Sequence, residues 1–425
     1  MRRISALAIL ILAVFSGKAH SGEEISLDAF LGMVLSNNDA LISAANAADA
    51  SYFAARSSIA RQRPSLGASA AGSYLSGMDN GVRESDIGGF EIKLEIIQPI
   101  DISGRFGIEE RQALLSVEMK RVELEDAVNS LLADAEESYW SAIFAIENTA
   151  LQEAVLQRRM ENRRITEGKY DRELVPRLDV IRADALVIEA EAFVAQAEAE
   201  RLNILAEMAS LAGGRRIQPI GTLSVPSFQE DDSDDALFER RPDVKAARLS
   251  LLSARTAKDL AAREMSPTLE ASASWTPYSD PSGSGSPQRG EIETSLRLSI
   301  PILDGRSAEF HRSHASAMVQ STEASLRHVQ ETAVKEIEIA RNNRDLAIAV
   351  ERAKKSEMEK TDEELRITEL MYMEGMGAQT DLINAQIENR RVRTEYLRAV
   401  KDLHVSAARL RKAVGGYAAK FPARG

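Results

Sequence analysis

Ile165-Thr166-Glu167, Tyr170, Asp179, Ile181 and Ala183 return at a constant offset of 202 residues as Ile367-Thr368-Glu369, Tyr372, Asp381, Ile383 and Ala385. A fixed offset held across a turn as well as across the segments flanking it marks an internal duplication, and a duplication sets the architecture before any local assignment does. The same relation runs further back along the chain. Arg63-Pro64-Ser65-Leu66 matches Ser266-Pro267-Thr268-Leu269, Gln98-Pro99-Ile100 matches Ile300-Pro301-Ile302, and Gly104-Arg105 matches Gly305-Arg306. Resemblance between any two Ala/Glu-rich helices does not explain matches at Pro, Gly and Tyr. The first repeat is read as residues 22–212 and the second as 241–415, with a linker at 213–240 and a tail at 416–425.

Glycine and proline end helices, and their absence lets helices run. Neither occurs between Gly107 and Gly168, between Gly305 and Gly375, between Pro176 and Gly213, or between Gly377 and Gly415. At 1.5 Å per residue the two longest stretches would span roughly 90 and 100 Å as single helices. Apolar residues recur within them at three and four, as in Leu124, Val128, Leu131, Leu132, Ala135 and Tyr139, so each needs helical partners. After the first long stretch, Tyr170–Pro176 turns the chain into a returning helix of about half that length. The segment Met33–Arg63 is long enough to cover the remainder of the rod, end to end with that returning helix.

Between the helices of each repeat lie two extended segments, 65–75 with 88–99 and 267–277 with 290–301. Each comes near the ~9–11 residues with which a tilted strand crosses a bilayer. Ile292, Thr294, Leu296, Leu298 and Ile300 alternate with Glu293, Ser295, Arg297 and Ser299, and Phe90, Ile92, Leu94 and Ile96 alternate with Glu91, Lys93 and Glu95. One face suits lipid and the other water. Tyr74, Phe90, Trp275 and Tyr278 stand near strand ends, where aromatic girdles sit. Residues 76–87 and 279–290 are rich in Gly, Ser, Asp and Pro and are read as exposed loops. Four strands cannot close a barrel, and open edges in lipid are very costly, so several copies must share one wall.

Composition fits these elements and removes other classes. The 425 residues are 44% hydrophobic and 28% charged, too apolar for wholesale disorder, while 5% aromatics and abundant Ala, Glu, Leu and Arg suit long helices. The net charge of −12 argues against a nucleic-acid partner. Zero cysteines exclude disulfides, thiolate metal sites, thiol catalysis and a lipidated N-terminal Cys. Arg2 and Arg3 before the apolar run Ile4–Phe15, then Ala19-His20-Ser21, read as a secretory signal over residues 1–21. No nucleophile, acid–base or metal set rises above background, so neither an enzyme nor a cofactor is expected. Gly213-Gly214 lacks the Lys-Ser/Thr of a phosphate loop and reads as a helix end. The acidic stretch 230–235 reads as a solvated linker. His311 and His314 share a helix face, but no third ligand follows from spacing, and a solvated face explains the pair more simply than a metal site.

These residues resemble the TolC-like outer membrane efflux proteins across the whole mature chain. The marks are the two-fold repeat, Pro-Ile-Leu-Asp-Gly at Pro301–Gly305, Arg240-Arg241-Pro242-Asp243, and the spacing of Tyr372, Gly375 and Asp381. Gln98-Pro99-Ile100 is similar to a run in the heavy-metal branch. The resemblance implies a homotrimer, mainly α with a small β part, whose subunits each give four strands to a 12-stranded outer-membrane β-barrel and paired long helical hairpins to a periplasmic helical barrel. It implies a passive exit duct of a tripartite efflux or secretion system in a Gram-negative outer membrane. Its partners would be membrane lipid, a periplasmic adaptor (membrane fusion) protein and an inner-membrane pump of the resistance-nodulation-division or ATP-driven type. The adaptor would meet the helix tips, here Leu174 and Val175 in the first repeat and Gly375, Met376 and Gly377 in the second. Glu173 departs from the family's usual glycine. A periplasmic gate would be built from Asp381 and Tyr372, with Asn384 where many members repeat the aspartate and Asp179 at the repeat-related position. Asp381 reads equally as a helix-start carboxylate favoured by the dipole. A soluble periplasmic coiled-coil scaffold, its extended segments forming surface hairpins, is the rival reading; a monomeric porin is disfavoured by the strand count.

Overall fold

The structure, a computed structural model, describes residues 23–79, 82–226, 237–280 and 290–420. The leader 1–21, the acidic stretch 230–235 and the loop interior 281–289 lie outside the described residues. Element order is β1 (Glu23–Ile25), α1 (Leu27–Asn37), α2 (Asp39–Ala60), β2 (Ser65–Asp79), β3 (Val82–Ile100), α3 (Arg105–Tyr170), α4 (Arg177–Leu211) and β4 (Ile217–Pro219). A short 3-10 turn at Leu237–Arg240 leads into α5 (Pro242–Ala261), β5 (Thr268–Asp280), β6 (Glu291–Ser299), α6 (Ser307–Met373), α7 (Gln379–Ala413) and α8 (Gly416–Lys420).

The chain forms two units, each drawing on both sequence repeats. Among the described residues, one comprises 23–39, 131–226 and 342–409, and the other 40–79, 82–130, 237–280, 290–341 and 410–420. Related segments of the two repeats pack on each other, which is why neither repeat is a unit by itself.

The second unit carries an antiparallel sheet in the order β2-β3-β5-β6, in which β3 and β5 join the two repeats. Registers Leu66↔Ile96, Ala68↔Leu94, Leu94↔Trp275, Ala271↔Leu296 and Leu269↔Leu298 place apolar residues of all four strands on one face. The opposite face carries Glu91, Lys93, Glu95, Glu270, Ser272, Glu293, Ser295 and Arg297. On that polar face the Ser272 and Ser295 hydroxyls lie 2.7 Å apart, and Lys93 Nζ meets Glu95 at 3.1 Å. The apolar face is open: Ile292 is 75% and Leu296 68% exposed. The outer strands β2 and β6 each pair on one side only. Pro277 falls where the register shifts between Ile92↔Tyr278 and Leu94↔Trp275, an irregularity that absorbs its missing N–H.

Two sequence expectations are revised here. The strands outrun their expected ends: β2 reaches Asp79 and β3 begins at Val82, so most of the expected loop 76–87 is paired strand, and β5 runs on to Asp280. Ladder pairing, as in Met78↔Arg83 and Asp79↔Val82, overrides the turn preferences of Gly, Ser and Asp. The single helix expected over Met33–Arg63 is broken at Asn38, whose extended backbone (ψ 119°) ends α1. The Asn38 side chain donates to the Leu211 carbonyl at 3.2 Å, satisfying a C-terminal carbonyl of α4.

Each long helix starts at an aspartate. Asp101 accepts from the amides of Ser103 and Arg105 through Oδ1 (3.1 and 3.0 Å) and of Phe106 through Oδ2 (3.0 Å). Asp304 accepts from Arg306 and Ala308 (3.0 and 2.6 Å). These side chains satisfy amides the helix leaves unpaired. Burial pushes the Asp101 carboxyl up, but the backbone N–H groups outweigh it and hold the group below its usual range. The Ala308 amide, ahead of the Arg306 amide, does the same for Asp304.

The Arg240-Arg241-Pro242-Asp243 motif fastens the end of α7 in the same unit. Pro242 occupies the first turn of α5. Arg241 donates to the Ala413 carbonyl at 3.0 Å, to Asp243 at 2.7 Å and to Glu336 at 2.6 Å. Gly415 (φ 71°) permits the close approach, because a Cβ there would lie 3.2 Å from the Arg240 carbonyl.

In the other unit β1 pairs in parallel with β4. Tyr139 Oη lies 2.6 Å from the Ile220 carbonyl and 3.3 Å from that of Ile25, seating this small sheet on α3. Phe30, Leu31, Val34, Leu132, Ile143, Met208 and Ile217 form the buried apolar core around it.

Candidate functional site

Below this core the buried seam of α3 changes character. Leu132, Ala135, Ala142 and Ile143 give way to Asn148, Gln152, Arg159, Asn162 and Thr166. Gln152 donates to Asn148 Oδ1 (3.1 Å) and to Thr394 Oγ1 on α7 (3.3 Å), and Thr166 donates back to the Asn162 carbonyl (2.9 Å). Polar pairing replaces apolar burial where α3 approaches its turn.

The two turns obey one plan. After α3, Glu173 N donates to Tyr170 O (2.8 Å) and Leu174 N to Lys169 O (2.9 Å); after α6, Gly375 N donates to Tyr372 O (3.2 Å) and Met376 N to Met371 O (2.9 Å). Both patterns match a helix end closed by a left-handed residue. Glu173 has φ 59° and Gly375 φ 74°. The missing glycine therefore leaves the turn intact and makes the chain hold an ordinary residue in a conformation that glycine takes without strain. Leu174 and Met376 are exposed, Gly375 exposed, and Val175 and Gly377 half-buried.

Four helix ends meet here through contacts between repeats. Tyr372 is buried in a cluster with Leu365 and Leu382, against Ala385. Lys169 at the end of α3 sets its ammonium 4.0 Å from the Tyr372 ring centroid and donates to the Tyr372 carbonyl at 3.4 Å. The Tyr372 hydroxyl is enclosed and has no hydrogen-bond partner among the described residues. Gln379, at the start of α7, donates to the Asp179 carbonyl at 3.2 Å. Asp179 itself stands 3.7 Å from Arg182. Asp381 and Asn384 are exposed on α7 one turn apart, so the structure brings them onto one open face and separates them from buried Tyr372.

Further along, Asp362 on α6 accepts two bonds from Arg393 (both 2.8 Å) and one from Asn389 (2.6 Å), clamping α6 to α7. Burial would raise this carboxyl, but Arg393 and Asn389 outweigh it and hold it low. Arg163 ties the end of α3 to α4 through Asp184 at 2.7 Å. Sequence reasoning passed over Lys169, Gln379 and these ion pairs. Their partners lie on other helices, and the repeat gives no signal for them, since Lys169 aligns with Met371 and Gln379 with Arg177.

In the sheet unit, His311 pairs through Nδ1 with Glu264 at 2.8 Å. Among the described residues no group of three or more His, Cys, Asp or Glu is placed to hold a metal ion. No described helix is long and apolar enough to cross a membrane; the sheet, by its own register, has one apolar face compatible with lipid.

Comparison with known proteins agrees with this geometry. The profile of the outer membrane efflux protein family matches residues 30–214 and 235–416. Nodulation protein T of Rhizobium leguminosarum bv. viciae is 24% identical over 346 residues, covering 77% of this chain and 70% of that protein. The open state of the MtrE outer membrane channel of Neisseria gonorrhoeae superposes with a TM-score of 0.80 at 21% identity, over 92% of this chain and 88% of that one. The CmeC outer membrane channel of Campylobacter jejuni does so with 0.79 at 16% identity, over 92% and 85%. The structural likenesses establish the fold, and the profile establishes descent. The chain belongs to the outer membrane efflux protein family, the passive efflux channels of Gram-negative outer membranes that extend into the periplasm.

Proposed function

We propose that three copies of this chain form the exit duct of a tripartite efflux or secretion system. Channels of this family are trimers that work with an adaptor and an inner-membrane pump. The observation that carries the reading is the sheet: one face apolar, the other polar, and β2 and β6 paired on one side only. Edges left open in lipid would strand backbone donors and acceptors, so β2 of one copy pairing with β6 of the next supplies the missing partners and closes 12 strands.

In this reading the turns carrying Leu174, Val175, Gly375, Met376 and Gly377 meet the adaptor, and the pump is of the resistance-nodulation-division or ATP-driven type. Asp381 and Asn384 line the periplasmic entrance, and three copies of the Asp381 carboxylate favour cations there. Asp179 and Tyr372 act from behind: Asp179 through the Gln379 contact at the root of α7, and Tyr372 as the apolar anchor of the same helix pair. Planar-bilayer recording tests the gate. Asp381→Ala should raise the leak conductance and lower cation preference; unchanged conductance and selectivity would reject the role of Asp381.

A further inference from the structure

The two hairpins of the sheet share one register. Under the repeat, β2 maps onto β5 with an offset of 203, as Leu66, Ala68, Ser69 and Ala70 map onto Leu269, Ala271, Ser272 and Ala273. β3 maps onto β6 with an offset of 202, as Glu91, Leu94, Pro99 and Ile100 map onto Glu293, Leu296, Pro301 and Ile302. The ladders obey the same map, since Ser65↔Ile97 in the first hairpin becomes Thr268↔Ser299 in the second. Sequence and strand pairing therefore agree on which residues are equivalent.

β3 has a second neighbour within the chain, β5, whereas β6 has none. At the β3–β5 junction Ile100 stands opposite Leu269, Ile97 opposite Ser272 and Ile96 opposite Ala273. Paired there, Ile100 is 37% exposed and Leu269 half-buried; their equivalents at the free edges, Ile302 and Leu66, are 90% and 73% exposed. The internal junction shows what the outer edges lack.

We propose that the β3–β5 register recurs between copies of this chain. The proposal rests on the reading that β6 of one copy pairs with β2 of the next, and it fixes where: Ile302, Ser299 and Leu298 of one copy stand opposite Leu66, Ser69 and Ala70 of the next. β2 runs in the same direction as β5, so the new junction is antiparallel like the internal one. The faces agree without appeal to the repeat. Leu298 meets Ala70 on the apolar side, large against small as Ile96 meets Ala273, and Ser299 meets Ser69 on the polar side. A slip of one residue would exchange the faces, so the competing registers are slips of two.

The chain has no cysteine, so introduced pairs report without background. Residues 69 and 299 of one chain lie on opposite edges of the sheet, three strand spacings apart, and a bridge between them must join two copies. Oxidised in outer-membrane vesicles, Ser69→Cys with Ser299→Cys, and Ala70→Cys with Leu298→Cys, should each give a covalent ladder ending at three chains on a non-reducing gel. Gly67→Cys or Ala71→Cys with Ser299→Cys stands about 7–8 Å from its partner in this register and should lose the ladder. A ladder from a slipped pair in place of the matched pairs would overturn the register and leave the joined edges standing. A heat-modifiable oligomer with no bridge in any pair would overturn the pairing of β6 with β2. Absence of the oligomer from the unaltered protein would overturn the reading on which the proposal rests. If one matched pair does not assemble, the other, on the opposite face of the seam, decides.

Discussion

Placing an arginine at position 296 or at position 295 should give opposite outcomes, although the two residues are neighbours in β6. Leu296 stands opposite Ala271 on the apolar face and Ser295 opposite Ser272 on the polar one. Near the middle of a lipid-facing strand an arginine costs roughly 2–4 kcal/mol, which three copies in one barrel multiply to about 6–12 kcal/mol. Ser295→Arg forfeits the hydroxyl pair with Ser272, an exposed contact worth roughly 1 kcal/mol or less. The difference is about 1–4 kcal/mol per subunit, or about 5- to 900-fold in each insertion equilibrium. The readout is the share of protein recovered in the outer-membrane fraction as a heat-modifiable oligomer, with both variants expressed equally. Leu296→Arg should largely lose that species and Ser295→Arg should keep it. Equal recovery would mean that the apolar face meets no lipid, and the reverse ranking would mean that the faces are assigned backwards.

Three further outcomes follow from local geometry. Glu173→Gly should relieve about 1 kcal/mol of left-handed strain and slow exchange of the Leu174 amide about five-fold, while Gly375→Ala should speed exchange at Met376 by a similar factor. Insensitivity of both amides would show that the turns are not held by these residues. Tyr139→Phe takes the hydroxyl donor from the Ile220 carbonyl, while Ile25 O keeps the Ile220 amide, and should cost about 1–3 kcal/mol, seen as 5- to 150-fold faster exchange of that amide. The Asp101 and Asp304 carboxyls are held below their unfolded values, so their support of the first turns of α3 and α6 is full above about pH 4 and fades as pH falls through the lower folded values. Asp101→Asn with Asp304→Asn should flatten that acid loss of protection at Phe106 and Ala308; an unchanged acid profile would place its origin elsewhere.

The helices were legible because glycine and proline punctuate them. The stretches free of both between Gly107 and Gly168 and between Gly305 and Gly375 became α3 and α6, and Pro176–Gly213 and Gly377–Gly415 bracket α4 and α7. The alternation in residues 291–299 gave both the strand and its faces. Contacts of long sequence separation were not legible. The β1–β4 pair uses three residues from each of two segments nearly 200 apart, too short to leave a period. The break at Asn38 depends on a carbonyl of Leu211, and the Lys169–Tyr372 contact on the folding of one repeat against the other. At the turn between α6 and α7, the repeat aligned Tyr372 with Tyr170 and Asp381 with Asp179 but could not separate an exposed carboxylate from a buried aromatic. Spacing along a helix gives position, whereas burial depends on which neighbours arrive.

Subunit stoichiometry in the membrane tests the central claim most directly. Native mass measurement of the protein extracted from outer membranes should find three chains per particle, as for channels of this family, because a four-stranded sheet with two unsatisfied edges needs further copies to close. A single chain released by osmotic shock, with nothing retained in the membrane, would contradict it.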